Sequence, residues 1–79
     1  MPTVYTLPSC VQCDATKRFL AKIGVAYNTV DLSSDTEAYE YIRGLGFSSA
    51  PVVVFGDESW SGFQPDKLSA LAARLHLRF

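Results

Sequence analysis

Hydrophobic and polar positions in the first third of the chain change from a strand-like to a helix-like pattern. The run from Thr3 to Leu7 is rich in strand-forming residues and stops at Pro8-Ser9, which predicts a short strand. After this stop, Ala15 or Thr16, Phe19, Leu20 and Ile23 recur at helical spacing, with polar residues between them. This spacing predicts a helix from about Val11 to Ile23, with Gly24 as its C-terminal cap.

The middle of the chain repeats the order of strand and helix. Val25 to Val30 is a second run of strand-forming residues. The segment from Ser34 to Glu37 matches a capping box, with Ser34 at the N-cap and Glu37 reaching back to its amide. The helix predicted after it ends near Gly44–Gly46 and has an apolar face, formed by Ala38, Tyr41, Ile42 and Leu45.

The last third predicts two more strands and a helix. Pro51 to Phe55 is continuously apolar, which is typical of a strand covered on both faces. Gly56-Asp57 predicts a tight turn into a strand that runs through Ser59, Trp60 and Ser61, so these two strands form an antiparallel hairpin. Pro65 then begins a helix whose apolar face consists of Leu68, Leu71, Ala72 and Leu75.

The element order βαβαββα predicts an α/β fold with a mixed four-stranded sheet and helices on its faces. A strand–helix–strand unit implies a right-handed parallel crossover. The length of 79 residues fits one domain over residues 1–79, and 48% hydrophobic residues suit a folded chain.

A net charge of −1 and the absence of an apolar run near roughly 20 residues argue against nucleic-acid and membrane partners. Without the pattern of a signal peptide, we expect a cytoplasmic protein, and we expect a monomer.

The two cysteines, Cys10 and Cys13, carry the candidate chemistry. They fall where the first strand meets the first helix, a common place for a site in an α/β sheet. Three helical residues rise about 4.5 Å, which is compatible with a reversible disulfide. Cys10 at the helix N-terminus is favoured as a thiolate, because unpaired N–H groups and the macrodipole stabilise negative charge. We therefore expect Cys10 to attack a partner disulfide and Cys13 to resolve the mixed disulfide.

Other roles for the Cys-x-x-Cys pair remain open at this stage. The pair could be half of a tetrahedral zinc site or bridge an iron–sulfur cluster in a dimer. The chain offers no third cysteine, and its only histidine, His76, lies far along the sequence and is assigned a structural or surface role. An inert buried pair is a further alternative.

Two more segments have both a structural and a functional interpretation. Pro51 can simply begin an apolar strand, or the Ala50–Pro51 bond can be cis and lie beside the dithiol. The segment Trp60-Ser61-Gly62-Phe63 can fill the core, or it can form an amphipathic patch that recognises a partner.

These motifs together carry a resemblance to a known family. The early Cys10-Val11-Gln12-Cys13 and the later Ala50-Pro51 resemble the thioredoxin/glutaredoxin superfamily. Joined to Trp60-Ser61-Gly62-Phe63-Gln64-Pro65-Asp66, they resemble the NrdH-redoxins in particular, over nearly the whole chain.

The resemblance implies a fold, an activity and partners. It implies a thioredoxin-like fold with strand order 2-1-3-4, in which Cys10 and Cys13 are the redox pair and Pro51 is the cis-proline. Val11, Gln12, Ala50, Pro51 and the Trp60–Phe63 stretch would bind substrates and partners, and the backbone next to Pro51 would pair with an extended partner peptide. Electrons would pass from NADPH through thioredoxin reductase to the large subunit of class Ib ribonucleotide reductase. The chain itself would bind no cofactor, because NADPH and FAD belong to the reductase.

Departures from related patterns bear on the choice of reductant. Leu7 stands where this family usually has a cation, and Gln64 where it often has arginine. Glutaredoxins have a Gly-Gly-x-Asp-Asp segment that caps the glutathione carboxylate, whereas this chain has Pro65, which lacks a backbone donor. A glutathione-dependent glutaredoxin is therefore the nearest alternative and is disfavoured.

Overall fold

The computed structural model describes residues 1–76, with His76 described only in its backbone. The observed order is the predicted βαβαββα, and the seven elements are β1 (Thr3–Thr6), α1 (Val11–Lys22), β2 (Asn28–Asp31), α2 (Thr36–Gly44), β3 (Val52–Phe55), β4 (Glu58–Ser61) and α3 (Pro65–His76). The role assigned to the side chain of His76 lies outside the described residues. The assignment of residues 1–79 to one domain stays a prediction.

The four strands form one mixed sheet in the order β2-β1-β3-β4. β1 pairs in parallel with β2, as expected for two strands joined by a crossover through α1. β3 pairs antiparallel with both β1 and β4, and Gly56-Asp57 forms the two-residue turn between β3 and β4. The carboxyl end of β1, the start of β3 and the end of β4 therefore share one edge of the sheet.

The second strand begins later than its sequence predicts. The chain leaves α1 through a glycine-based cap, in which Gly24 has φ 76°. The Gly24 amide donates to the Ala21 carbonyl, and the Val25 amide donates to the Leu20 carbonyl at 2.9 Å. These are the two hydrogen bonds of a Schellman motif, and they commit the Val25 amide to the helix end. β2 pairing begins only where the Asn28 amide donates to the Pro2 carbonyl.

The N-cap of α2 is Asp35, so the prediction of Ser34 as the cap was wrong. The Asp35 carboxylate accepts from the Ala38 amide at 3.0 Å, and the third helical position holds alanine rather than the glutamate of a capping box. Ser34 instead donates from its hydroxyl to the Asp31 carbonyl. Sequence cannot separate the two because aspartate and serine cap helices about equally well.

Ser34 belongs to a polar turn between β2 and α2. The Ser33 hydroxyl and amide both donate to the Asp31 carboxylate, at 2.6 and 2.8 Å. These two hydrogen bonds lower the pKa of the Asp31 carboxyl below its ordinary value. The turn extends to Ser34, whose amide and hydroxyl both point to the Asp31 carbonyl.

Each face of the sheet has its own hydrophobic cluster. One face packs against α1 and α3 through a cluster that includes Val4, Val53 and Trp60. The other face packs against α2 through Leu32, Ile42 and Val52. Because neighbouring β3 residues point to opposite faces, Val52 and Val53 are both fully buried, which explains the unbroken apolar run. Among the described helices, none is long and apolar enough to cross a bilayer.

The position of the α2 cap yields a direct stability test. Replacing Asp35 with alanine removes the acceptor of the Ala38 amide, and we expect a loss of about 1 kcal/mol in the free energy of unfolding. Ser34→Ala is the matched control and should cost less than about 0.5 kcal/mol, because Ser34 is an exposed turn residue. Urea denaturation of both variants measures the difference. A larger loss for Ser34→Ala would restore Ser34 as the cap.

Candidate active site

The two cysteines lie on the first turn of α1 and are joined as a disulfide. Cys10 is the N-cap of the helix, in extended conformation, and Cys13 is its third residue. Their Cα atoms are 5.2 Å apart, inside the range of roughly 4.4–6.8 Å that a disulfide spans. The first turn of the helix thus sets a separation of the two Cα atoms that a disulfide can span.

The two sulfurs have different surroundings. Cys13 is completely buried, whereas Cys10 is partly exposed to solvent. The Cys13 amide donates to Cys10 Sγ at 3.1 Å, so the sulfur takes the place that a serine or aspartate oxygen fills at other N-caps. A thiolate at Cys10 would be stabilised by this donor and by the positive end of the helix. Only Cys10 is open to attack an external disulfide.

α1 carries one acidic side chain, Asp14, and three basic ones, Lys17, Arg18 and Lys22. Asp14 lies in the first turn, where Lys17 Nζ approaches its carboxylate at 3.6 Å. Both side chains are substantially exposed, and such surface pairs contribute little. The backbone N–H groups at the helix N-terminus supply positive potential at Cys10 that does not depend on this surface pair.

The segment before β3 and the end of β4 flank the dithiol at the same sheet edge. Val52 pairs with Tyr5 of β1 on one side and with Ser61 of β4 on the other. Just beyond this register, the Gly62 amide donates to the Pro51 carbonyl at 2.8 Å. The Ala50–Pro51 peptide bond is cis.

Gln12 connects the dithiol to the segment after β4. Its side-chain carbonyl accepts from the Phe63 amide at 3.1 Å, across 51 residues of sequence. The neighbouring Gly62 has φ 84°, and a Cβ there would lie 3.3 Å from Gln12 Oε1. The Phe63 ring also meets Phe19 of α1 edge-on, with centroids 5.9 Å apart. The segment is therefore held against α1 by a hydrogen bond from its backbone to the Gln12 side chain and by an aromatic contact.

The residues of the Trp60–Phe63 stretch do not share one role. Trp60 is only 5% exposed and belongs to the cluster under α1 and α3, which favours core filling for this side chain. Ser61, Gly62 and Phe63 are partly exposed at the rim of the site. Within the stretch, solvent exposure is confined to the last three residues, and partner recognition by the stretch stays a prediction.

Sequence reasoning missed Ser49. Its Oγ lies 3.2 Å from Ser61 Oγ, and its carbonyl accepts a second, longer hydrogen bond from the same hydroxyl. Gln64 Nε2 donates to the Ser61 carbonyl at 2.9 Å from the other side. No local signal could have revealed Ser49, because its partner is distant in sequence and becomes a neighbour only through the β3–β4 hairpin.

The sequence of this chain is similar to those of known proteins. A family model described as glutaredoxin matches residues 3–60. The glutaredoxin-like protein NrdH of Escherichia coli K12 is 43% identical over 74 residues, 94% of this chain and 91% of that protein. The NrdH protein of Lactococcus lactis MG1363 is 36% identical over 91% of this chain and its own full length. The chain belongs to the glutaredoxin-like NrdH family.

A solved structure agrees with this assignment. The NrdH-redoxin of Escherichia coli superposes with a TM-score of 0.86 at 44% identity, covering 89% of this chain and 92% of that one. The predicted thioredoxin-like fold with strand order 2-1-3-4 is confirmed. As a member of the NrdH family with a Cys10–Cys13 pair, the chain is a thiol–disulfide oxidoreductase.

The contact between Gln12 and Gly62 can be measured by a double-mutant cycle. Gly62→Ala should destabilise the fold by about 1–2 kcal/mol from its positive φ alone. A further loss of at least about 0.5 kcal/mol should come from crowding of Gln12 Oε1. Gly24→Ala is the control, since Gly24 has a similar φ of 76° with no atom near its Cβ position.

In a Gln12→Ala background, the excess cost of Gly62→Ala over Gly24→Ala should disappear. Urea denaturation of the single and double variants provides the values. An excess that persists without the glutamine side chain would contradict the contact.

Proposed function

We propose that this NrdH-type chain carries electrons from NADPH, through thioredoxin reductase, to the large subunit of class Ib ribonucleotide reductase. The observation that carries the proposal is the asymmetric dithiol, with Cys10 capping α1 and Cys13 buried behind it. The family membership supports it, and so does the thioredoxin-like activity profile that the Escherichia coli NrdH-redoxin is described as having.

The proposed reaction uses the two sulfurs in order. The Cys10 thiolate attacks one sulfur of the partner disulfide, forming a mixed disulfide and releasing the other partner sulfur as a thiolate. Cys13 then loses its proton and attacks Cys10 Sγ, which releases the second partner sulfur and leaves the Cys10–Cys13 disulfide. Two electrons have passed to the partner. The reductase returns two electrons and restores both thiols.

The partner surface surrounds Cys10. Val11 is 80% exposed, and Gln12 is exposed beside it. We propose that these two residues contact partners together with Ala50 and the partly exposed Ser61, Gly62 and Phe63. Pro51 is fully buried, so its part in the proposal is to position the adjoining backbone for an extended partner peptide. Trp60 supports this surface from below through its place in the core.

The cofactors of the pathway belong to the reductase in this proposal. NADPH and FAD are bound there, and the chain contributes only its dithiol. We propose that the chain works in the cytoplasm as a monomer that meets its reductase and its acceptor in turn.

The start of α3 favours thioredoxin reductase over glutathione. α3 begins with Pro65, so this first helical position offers no N–H to a glutathione carboxylate. Leu7 supplies no cation three residues before Cys10. Both features weaken the recognition of a small anionic thiol.

The order of the sulfurs is tested with serine variants. With thioredoxin reductase, NADPH and a protein disulfide, Cys10→Ser should reduce turnover to the background rate, because it removes the attacking thiol. Cys13→Ser should instead accumulate a mixed disulfide through Cys10, visible on a non-reducing gel. Full turnover by Cys10→Ser, or by Cys13→Ser without a mixed disulfide, would contradict the mechanism.

The reductant is tested by two parallel NADPH oxidation assays on the unmodified protein. One assay contains thioredoxin reductase, and the other contains glutathione with glutathione reductase. We expect turnover in the first and at least tenfold slower turnover in the second. Faster turnover with glutathione would contradict the proposed reductant and favour the glutaredoxin alternative.

A further inference from the structure

A small apolar cavity opens on the face of the sheet that carries α2, between the segment after β1 and the segment before β3. Its volume is about 40 Å³, and its walls include Leu7, Leu32, Ile42, Phe47 and Ala50. A single water requires roughly 10–15 Å³ of such space, so the cavity accepts about three or four heavy atoms. This is the size of a branched aliphatic side chain.

The cavity lies within reach of a segment bound at Cys10. Leu7 is three residues before Cys10, so their Cα atoms are at most about 11 Å apart. Ala50, which also lines the cavity, directly precedes Pro51. An extended peptide rises about 3.3 Å per residue, so a side chain one or two positions from its cysteine can enter the cavity.

Arg43 is the one charged residue among those that line the cavity. Its Nη1 donates to Tyr39 Oη at 3.0 Å, and its guanidinium lies 5.8 Å from the centre of the Tyr39 ring. Among the described residues, no carboxylate forms a salt bridge with Arg43. The rim therefore presents a positioned cation to any segment whose aliphatic residue enters the cavity.

We propose that this cavity is a side-chain pocket that selects protein disulfides. The preferred partner segment has an aliphatic residue within two positions of its reacting cysteine and an acidic residue beside it. This proposal depends on the proposed dithiol exchange and adds to it a class of substrate. Leu7 is its specificity-determining residue, since an apolar wall accepts an aliphatic side chain and gives no charge to a small anionic thiol.

Peptide disulfides of known sequence are the probes. Each is a symmetric dimer of a short peptide with one cysteine, carrying leucine or serine at one position within two residues of it. Pre-reduced protein is mixed with the dimer, and release of two peptide thiols per protein disulfide formed is followed by chromatography. This single turnover needs no reductase.

We expect one position at which leucine raises the rate constant about tenfold over serine, because the leucine side chain leaves water on binding. Next to that leucine, glutamate should give roughly threefold faster exchange than lysine, and this ratio should fall with added salt. Arg43→Gln should remove the glutamate preference and keep the leucine preference.

Leu7→Lys should bring the leucine-to-serine ratio close to one. The ratio is the informative quantity, because any change in the reactivity of Cys10 affects both peptides alike. Leu45→Lys is the matched control and should keep the ratio, since Leu45 is 44% exposed, close to the 40% of Leu7, and does not line the cavity.

The outcomes separate the two proposals. Equal reduction of all peptides by the unmodified protein would overturn the pocket and leave the dithiol mechanism standing. Reduction of oxidised glutathione as fast as the leucine peptide would also overturn the pocket. If no peptide were reduced, both the dithiol mechanism and the pocket would be overturned.

Discussion

The hydrogen bond from the Cys13 amide to Cys10 Sγ is the contact on which the chemistry of this chain depends. A helix leaves its first amides without carbonyl partners, and here a sulfur accepts one of them at 3.1 Å. The same geometry that caps α1 therefore stabilises negative charge on Cys10. One turn later, the helix carries Cys13 into the core, where it is shielded from external disulfides. A single local motif thus distinguishes the attacking sulfur from the resolving one.

The sheet brings the remaining parts of the site to that helix end. β1 leads into Cys10, and its antiparallel neighbour β3 begins just after Pro51 at the same edge. The end of β4 continues this edge, where Phe63 donates to Gln12 and packs on Phe19. Because the hydrophobic clusters on both faces hold the central strands, the surface around Cys10 rests on a well-packed support.

The parts of the structure that depend on local patterns could be predicted from the sequence. Helical periodicity, runs of strand-forming residues and turn residues indicated all seven elements, although β2 begins at Asn28 rather than at Val25. The unbroken run in β3 indicated burial on both faces. Choices between equivalent local solutions could not be predicted, such as Asp35 rather than Ser34 as a cap. Contacts that require the finished hairpin, such as Ser49 with Ser61, left no sequence signal. Trp60 lies in the core, which the sequence could not decide, and its part in partner recognition stays a prediction.

Selective alkylation tests the central claim of this account most directly. The fully reduced protein is treated at neutral pH with a substoichiometric amount of iodoacetamide, and the modified cysteine is identified by peptide mass mapping. We expect the label on Cys10 almost exclusively, because its sulfur is both accessible and stabilised as a thiolate at the helix N-terminus. Equal labelling of the two cysteines, or preferential labelling of Cys13, would contradict the account.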